Sequence, residues 1–182
     1  MPELIFLCGQ DEYVCTGISV KMYRRYTEIM EKNEGESVKD AFEANAKILS
    51  EIFGVTLRRV EQADPEEVLF ASKEIHFAMQ EIINQKFLEL NPSGSQEKIE
   101  QEKSIFDEYD EENGYNDKTE EEKSFWKICR ENVDRVIKLC IRLMNNSYEQ
   151  CMEADVISLL DHLKFEIKTL KEERKNQKWQ RR

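Results

Sequence analysis

The side chains most able to act as nucleophiles, bases or metal ligands are two histidines and five cysteines. His76 and His162 are far apart in sequence and form neither an HxxxH nor an HExxH motif, and the cysteines include no CxxC pair. The paired ligand spacing of a zinc site is therefore missing. Nothing in the sequence brings a cysteine to a histidine, as a nucleophile and its base require. We expect a packed His76 and a His162 at the surface, with no metal at either.

Carboxylates are abundant, with 38 Asp and Glu residues in a chain of 182. In an acidic helical protein most of them form solvated faces. A loop ending at Glu120 would place Gly114 at the sixth position of a calcium site, but Tyr109 stands where the first Asp ligand is required. The six glycines form no GxGxxG or GxxxxGK[ST] phosphate loop, and no GxSxG occurs. The sequence therefore predicts no enzyme activity, cofactor or metal, and leaves open only an enzyme subunit whose site forms at an interface.

Charge divides the chain into three parts. Residues 1–92 carry a net charge of -7, residues 93–122 a net -9, and residues 123–182 a net +5. We predict a helical domain with an N-terminal hairpin over 1–92, an acidic flexible linker over 93–118 and a helical extension over 119–182. The middle stretch is either a plain linker or an acidic arm that folds back on the basic C-terminal part.

The overall composition argues against several classes of protein. The net charge of -11 argues against general binding to nucleic acid. No run approaches the ~20 consecutive apolar residues that a membrane span needs, and the apolar run 4–8 is too short for a secretory signal. An odd number of cysteines without a signal fits free thiols in a reducing cytoplasm.

Local signals predict a mainly α fold. Two β-prone runs flank Gly9–Asp11 and predict a hairpin. Apolar residues at helical spacing predict the helices, with stop signals at Gly54, Asn91-Pro92 and Asn145-Asn146. After Leu170 the chain becomes rich in Lys, Arg and Glu, and we expect it to fray at the end. The helix start signals are Ser19, Ser37, Asp64-Pro65, Thr119, Ser147 with Gln150, and Asp155. The predicted fold is a helical N-terminal domain with a small β-hairpin, an acidic linker and then a C-terminal helical hairpin.

The helix that begins after Asp64 is predicted to run to about Leu90 and is apolar on two sides. Such a helix is either central, with packed neighbours on both sides, or shared with a partner. Phe165 likewise lies opposite the main stripe of the last helix. Cys129 and Cys140 fall on an apolar stripe, so we expect buried thiols there. The main stripe of the long helix contains Val68, Ile75, Met79, Ile82, Ile83 and Leu90, and the opposite side contains Phe70, Phe77 and Leu88.

The order of these elements resembles the tail assembly chaperones of long-tailed bacteriophages and prophages. A hairpin leads through GISVKMYRRY (17–26) into a first helix, a second helix ends in ILSEIFGVT (48–56), and the Asp64-Pro65 helix follows. In the second half, a helix ending at Met144, the turn SYEQCMEAD (147–155) and a Leu-rich helix look like the extension of the longer form of these chaperones. The resemblance covers most of the chain and rests on order, spacing and hydrophobic pattern.

The resemblance implies a function in tail assembly within the cytoplasm of a bacterial host. Residues 1–92 would bind the helical tape-measure protein and keep it soluble, with Phe70, Phe77 and Leu88 lining a groove for it. Residues 119–182 would recruit tail-tube subunits, with Phe165 and the net positive charge forming an electrostatically steered contact. No nucleic acid or membrane is implied as a partner, and assembly into a homo-oligomer stays open. The alternative is a cytosolic helical adaptor that joins proteins and has no chaperone role.

Overall fold

The computed structural model describes residues 3–33, 38–87 and 124–180 and confirms a mainly α fold. Among these residues, no helix combines the length and the apolar composition needed to cross a bilayer. The predicted acidic linker, 93–118, lies outside the described residues. The strands are β1 (Leu4–Cys8) and β2 (Asp11–Cys15), and the helices are α1 (Val20–Lys32), α2 (Val38–Phe53), α3 (Leu57–Glu61), α4 (Pro65–Glu81) with a π-helical continuation (Ile82–Phe87), α5 (Phe125–Met144), α6 (Tyr148–Glu153) and α7 (Val156–Gln180).

The hairpin forms as predicted and covers one side of the helical core. Strands β1 and β2 are antiparallel, with Leu4 opposite Cys15 and Cys8 opposite Asp11. Gly9, in the turn, has a φ of +68°, a conformation that glycine adopts without steric cost. Arg59 of α3 pairs with Asp11, and its guanidinium lies 5.7 Å from the centre of the Tyr13 ring. These contacts attach the tip of the hairpin to α3.

Most predicted helix boundaries that fall on described residues are confirmed. The Ser19 hydroxyl accepts a hydrogen bond from the Met22 amide at 3.2 Å, and the Asp64 carboxylate accepts one from the Glu66 amide at 2.9 Å. Ser147 and Gln150 form a complete capping box. Helix α5 ends at Asn145, whose φ of 56° is left-handed. The signals at Ser37, Thr119 and Asn91-Pro92 lie outside the described residues.

One segment differs from the prediction. After Glu81 the helix widens into the π-helical segment, although the sequence predicts an α-helix as far as about Leu90, which is not described. The wider turn keeps Ile82 buried, and apolar spacing alone cannot distinguish one such turn from an α-helical turn. Helix α7 continues through the charged stretch after Leu170 to Gln180. Its final residues are mostly Lys, Arg, Glu and Gln, which favour helix without an apolar stripe.

One hydrophobic core contains residues from both ends of the chain. It joins Ile18 and Tyr23 near the start of the chain to Val133 and Leu163 near its end. Helix α1 lies between α2 and α5 and also contacts α6. The described residues of the two predicted parts, 1–92 and 119–182, therefore share one core. The boundaries of these parts stay a prediction.

A backbone pairing fixes the junction of these two stretches. The Val20 amide donates to the Ala154 carbonyl at 2.9 Å, and the Val156 amide donates to the Ile18 carbonyl at 2.8 Å. Ser19 and Asp155 thus form an isolated antiparallel bridge. A Cβ on Gly17 would lie 3.2 Å from an Asp155 carboxylate oxygen, so a residue without a side chain suits the close approach.

Ion pairs border the contact between α1 and α5. Arg24 pairs with Asp134 at 3.0 Å, and Arg130 pairs with Glu31 at 2.9 Å. These side chains are partly exposed, so each pair adds at most about 1 kcal/mol. The buried apolar contacts between the two helices therefore supply most of the stabilisation, and the ion pairs set the orientation of α5 on α1.

We predict that Leu163→Ala destabilises the whole protein. Leu163 is 0 % exposed in the shared core, and removal of its side chain leaves a cavity that costs about 2–5 kcal/mol. Phe165→Ala, two residues away on the same helix, is the matched control because Phe165 faces away from the core. It should change the free energy of unfolding by only about 0.5 kcal/mol or less. Urea denaturation followed by circular dichroism compares the two, and equal effects would contradict the shared core.

Candidate functional site

The inner face of α4 carries the predicted apolar stripe. Val68, Ile75, Met79 and Ile82 are all buried, against β1 and α2, and Ile83 is partly buried against the same core. Leu90 lies outside the described residues. The stripe therefore fixes which side of α4 faces the core. It also determines which side chains of α4 point away from the core.

The opposite side of α4 exposes two phenylalanines. Phe70 is 62 % exposed and Phe77 is 71 % exposed, and they lie seven residues apart, or two helical turns. The neighbouring Leu69 is also exposed, a feature that the sequence analysis did not single out. Leu88, the third predicted member, lies outside the described residues. Within the part of the chain that the structure describes, α4 is packed on one side only.

The surface around these rings is polar and acidic. At about 100° per residue, Lys73 and Gln80 lie beside the two phenylalanines, and Glu74 and Glu81 follow one border. All four of these side chains are exposed. We call this surface the outer face of α4 and define it by Phe70, Lys73, Glu74, Phe77, Gln80 and Glu81. It can bury two aromatic rings against a partner, and its acidic border favours basic groups on that partner.

Phe165 lies on α7 and is 64 % exposed. Leu160 and Leu163 of the same helix are buried, so Phe165 points away from the core as the sequence predicts. Helix α7 packs against the π-helical segment that continues α4. Phe165 and the outer face of α4 therefore belong to neighbouring elements, each on a side that the core leaves uncovered.

The hairpin exposes a further apolar surface that the sequence analysis missed. Ile5 and Val14 are cross-strand partners on the outward side of the hairpin, and Leu7 lies beside them. All three are exposed, whereas Leu4 and Phe6 point into the core. The unbroken apolar run 4–8 carried this signal, because a strand with one solvated face alternates apolar and polar residues.

His76 forms part of the packing, as predicted. Its Nε2 lies 2.9 Å from the Asn45 side-chain oxygen, and its Nδ1 lies 2.7 Å from the Tyr26 hydroxyl. Because the amide oxygen only accepts, Nε2–H donates to it and Nδ1 accepts from Tyr26. Burial lowers the pKa of His76 and raises that of Tyr26, so both groups stay neutral. Both ring nitrogens are satisfied, and the cluster joins α1, α2 and α4.

The other candidate residues for chemistry are also placed. His162 is exposed and lies 3.7 Å from Glu166. All five cysteines are free and buried, which agrees with the prediction for Cys129 and Cys140. Within residues 3–33, 38–87 and 124–180, no group of three or more His, Cys, Asp or Glu side chains is placed to hold a metal ion.

No protein-family model, no curated protein and no solved structure matches this chain. The candidate site therefore rests on the geometry of the outer face of α4.

We predict that stability decreases as the pH falls below about 6.5, the ordinary pKa of a histidine. Burial lowers the pKa of His76 in the folded protein, so the unfolded chain binds this proton more readily. The stabilisation from neutral His76 is complete above the pKa that His76 has in the unfolded chain. It is lost as the pH falls towards the lower pKa that His76 has in the folded protein. One proton limits the slope to about 1.4 kcal/mol per pH unit.

The two histidines provide a matched pair for this measurement. His76→Gln should remove this part of the pH dependence, whereas the exposed His162→Gln should retain it. Urea denaturation from about pH 5 to pH 7 spans the range in which an ordinary histidine titrates. If the free energy of unfolding of His76→Gln changed with pH as steeply as that of the wild type, His76 would not be the cause of the pH dependence.

Proposed function

We propose that the chain is a tail assembly chaperone of a long-tailed bacteriophage or prophage. It binds the helical tape-measure protein through the outer face of α4 and keeps this client soluble. The supporting observation is the exposure of Phe70 and Phe77, two helical turns apart, on the side of α4 opposite the core. The sequence resemblance supplies the identity of the client.

A helix with an apolar stripe is the partner whose chemistry fits this face. Side chains spaced by about seven residues on such a helix can meet both phenylalanine rings. Complete burial of a phenylalanine side chain contributes about 1.5–3 kcal/mol, so two rings provide a substantial part of a binding energy. Lys or Arg residues beside the client's stripe would face Glu74 and Glu81. The net charge of -11 further favours the approach of a basic client.

The second part of the proposal concerns tail-tube subunits. Residues 123–182 carry a net charge of +5, opposite in sign to the rest of the chain. Phe165 gives this basic part an exposed aromatic ring, and Lys168 lies one helical turn away on α7. An acidic surface on a tail-tube subunit would complement this combination. The contact would be steered by charge and anchored by the ring.

We predict that Phe77→Asp abolishes client binding and leaves the fold intact. Phe77 is exposed, so the change removes an anchor from the binding surface without opening a cavity. Gln80→Asp is the matched control, because it adds the same charge to the same face of α4 and retains both rings. The tagged chain and both variants are used in pull-downs from the bacterium that carries the coding sequence during prophage induction, with quantification by mass spectrometry.

The outcomes of this comparison separate the proposals. Recovery of a long, helix-rich tape-measure protein by the wild type and by Gln80→Asp, but not by folded Phe77→Asp, supports the chaperone. Recovery of the chain alone as a small oligomer, or with metabolic enzymes, favours the alternative function as a cytosolic helical adaptor. Unfolding of Phe77→Asp in circular dichroism would place Phe77 in the core and contradict the site.

Binding to a purified tail-tube subunit should weaken as the salt concentration rises from about 50 to 500 mM, because salt screens exposed charges. Phe165→Ala should weaken binding at both salt concentrations, since the ring contributes through burial. Phe77→Asp should leave this interaction unchanged and serves as the control. Isothermal titration calorimetry measures the affinity of the wild type, Phe165→Ala and Phe77→Asp. An affinity of the wild type that does not change with salt would contradict the electrostatic contact.

A further inference from the structure

Strand β1 has one free edge. In the described part of the chain the sheet contains only β1 and β2, so β1 is paired along one edge. A two-residue turn joins the strands, so Cys8 and Asp11 form the closing hydrogen-bonded pair. Such pairs alternate along an antiparallel ladder, so Ile5 and Leu7 turn their N–H and C=O groups away from β2. Among the described residues, no backbone hydrogen bond joins β1 to an element other than β2.

The sequence of β1 does not protect this edge. Exposed edges of natural sheets are usually blocked by charged residues, by Pro or by a bulge. Residues 4–8 are uncharged, contain no Pro and pair in continuous register with β2. The side chains of Ile5 and Leu7 are each 43 % exposed, beside the edge groups of their own backbone. An edge of this kind is a template for an added strand.

The helices that cover the inner side of the hairpin show what lies beyond this edge. Helix α2 packs against β2 and α4 packs against β1, so the step from β2 to β1 follows the step from α2 to α4. The hydrogen bond from His76 to Asn45 marks the border of α4 that faces α2. At about 100° per residue, Glu67, Glu74 and Glu81 lie on the opposite border, and each is at least partly exposed. A strand added to β1 would therefore lie beside a row of acidic side chains.

We propose that the free edge of β1 binds an extended segment of a partner protein in which apolar and basic residues alternate. The added strand would form backbone hydrogen bonds with Ile5 and Leu7. Because successive side chains of a strand point to opposite faces, its apolar residues would lie beside the side chains of Ile5 and Leu7. The intervening Lys or Arg residues would point towards the acidic border of α4. The pattern of the partner thus follows from the two faces of this edge.

Charge favours a basic partner over a second copy of the chain at this edge. Two copies could join their β1 strands about a two-fold axis at Phe6, with Ile5 opposite Leu7 of the second copy. That arrangement would bring the acidic borders of the two α4 helices together on one side of the sheet. Like charges oppose such a contact, and each copy carries a net charge of -11. This inference does not depend on the proposed chaperone function.

The test is titration of the ¹⁵N-labelled chain with a synthetic heptapeptide in which Lys and Val alternate, with acetylated and amidated ends. At saturation we expect the Ile5 and Leu7 amide hydrogens to exchange about tenfold more slowly, because they become hydrogen-bond donors. The amides of Phe6 and Tyr13, already within the β1–β2 ladder, should change less. A peptide of the same composition with its Val residues in one block is the control, and it should bind about tenfold more weakly.

Two matched pairs of variants identify the edge and the charges. Ile5→Pro removes a donor from the free edge of β1 and should abolish binding. Val14→Pro, its cross-strand partner, removes a donor from the other edge of the hairpin and should retain binding. Glu74→Lys should weaken binding about threefold, because attraction becomes repulsion. Glu172→Lys on α7 changes the net charge equally at another exposed position and should have little effect. Circular dichroism establishes that each variant is folded.

Four results would overturn the proposal. Equal affinity for the alternating and the block peptide would reduce the binding to general attraction between a basic peptide and an acidic chain. Unchanged exchange at Ile5 and Leu7 would exclude strand addition to β1, even if Ile5→Pro does not fold. Loss of binding in Val14→Pro but not in Ile5→Pro would place the added strand on β2. A dimer of the free chain in sedimentation velocity that Ile5→Pro dissociates would make a second copy the occupant of the edge.

Discussion

The burial of α1 is the constraint on which the rest of the structure depends. Tyr23, Tyr26 and Thr27 of α1 are all buried, and α2 and α5 lie on either side of the helix. The start of the chain also forms backbone hydrogen bonds with the α6–α7 junction. Because α1 is covered from both parts of the chain, by α2 and by α5 and α6, the second part of the chain is committed to the core. Helix α4 packs mainly on β1 and α2, and the described residues leave its outer face exposed.

One cluster of polar side chains inside this arrangement is paired across helices. His76 joins α4 to Tyr26 of α1 and to Asn45 of α2, and the Tyr26 ring packs edge-on against Trp126 of α5 at 5.6 Å. Hydrogen bonds between particular side chains tolerate fewer arrangements than apolar packing does. We infer that this cluster fixes the register of α1, α2 and α4, while the apolar contacts supply most of the stability.

The predictions that held depend on local chemistry. A cap at Ser19, Asp64 or Ser147 needs only neighbouring residues, so the sequence contains the full information for it. The choice of packing partner is different, because an amphipathic pattern identifies the buried face of a helix and not the element that covers it. The sequence accordingly showed that α4 has two apolar sides, but the structure was needed to show that the described residues cover only one. The π-helical segment was likewise invisible to the apolar pattern, whereas the unbroken apolar run 4–8 already carried the signal for the exposed hairpin surface.

Under the proposed function, the small size of the outer face has a consequence for how the client is covered. Two phenylalanine rings bury far less area than a stable interface of two globular proteins requires, so one copy alone binds a helix weakly. A long client presents the same kind of apolar stripe many times along its length. Copies bound side by side would gain affinity if they also contact one another, since each bound copy raises the local concentration for the next. The exposed hairpin residues Ile5, Leu7 and Val14 would be a second apolar surface for such contacts.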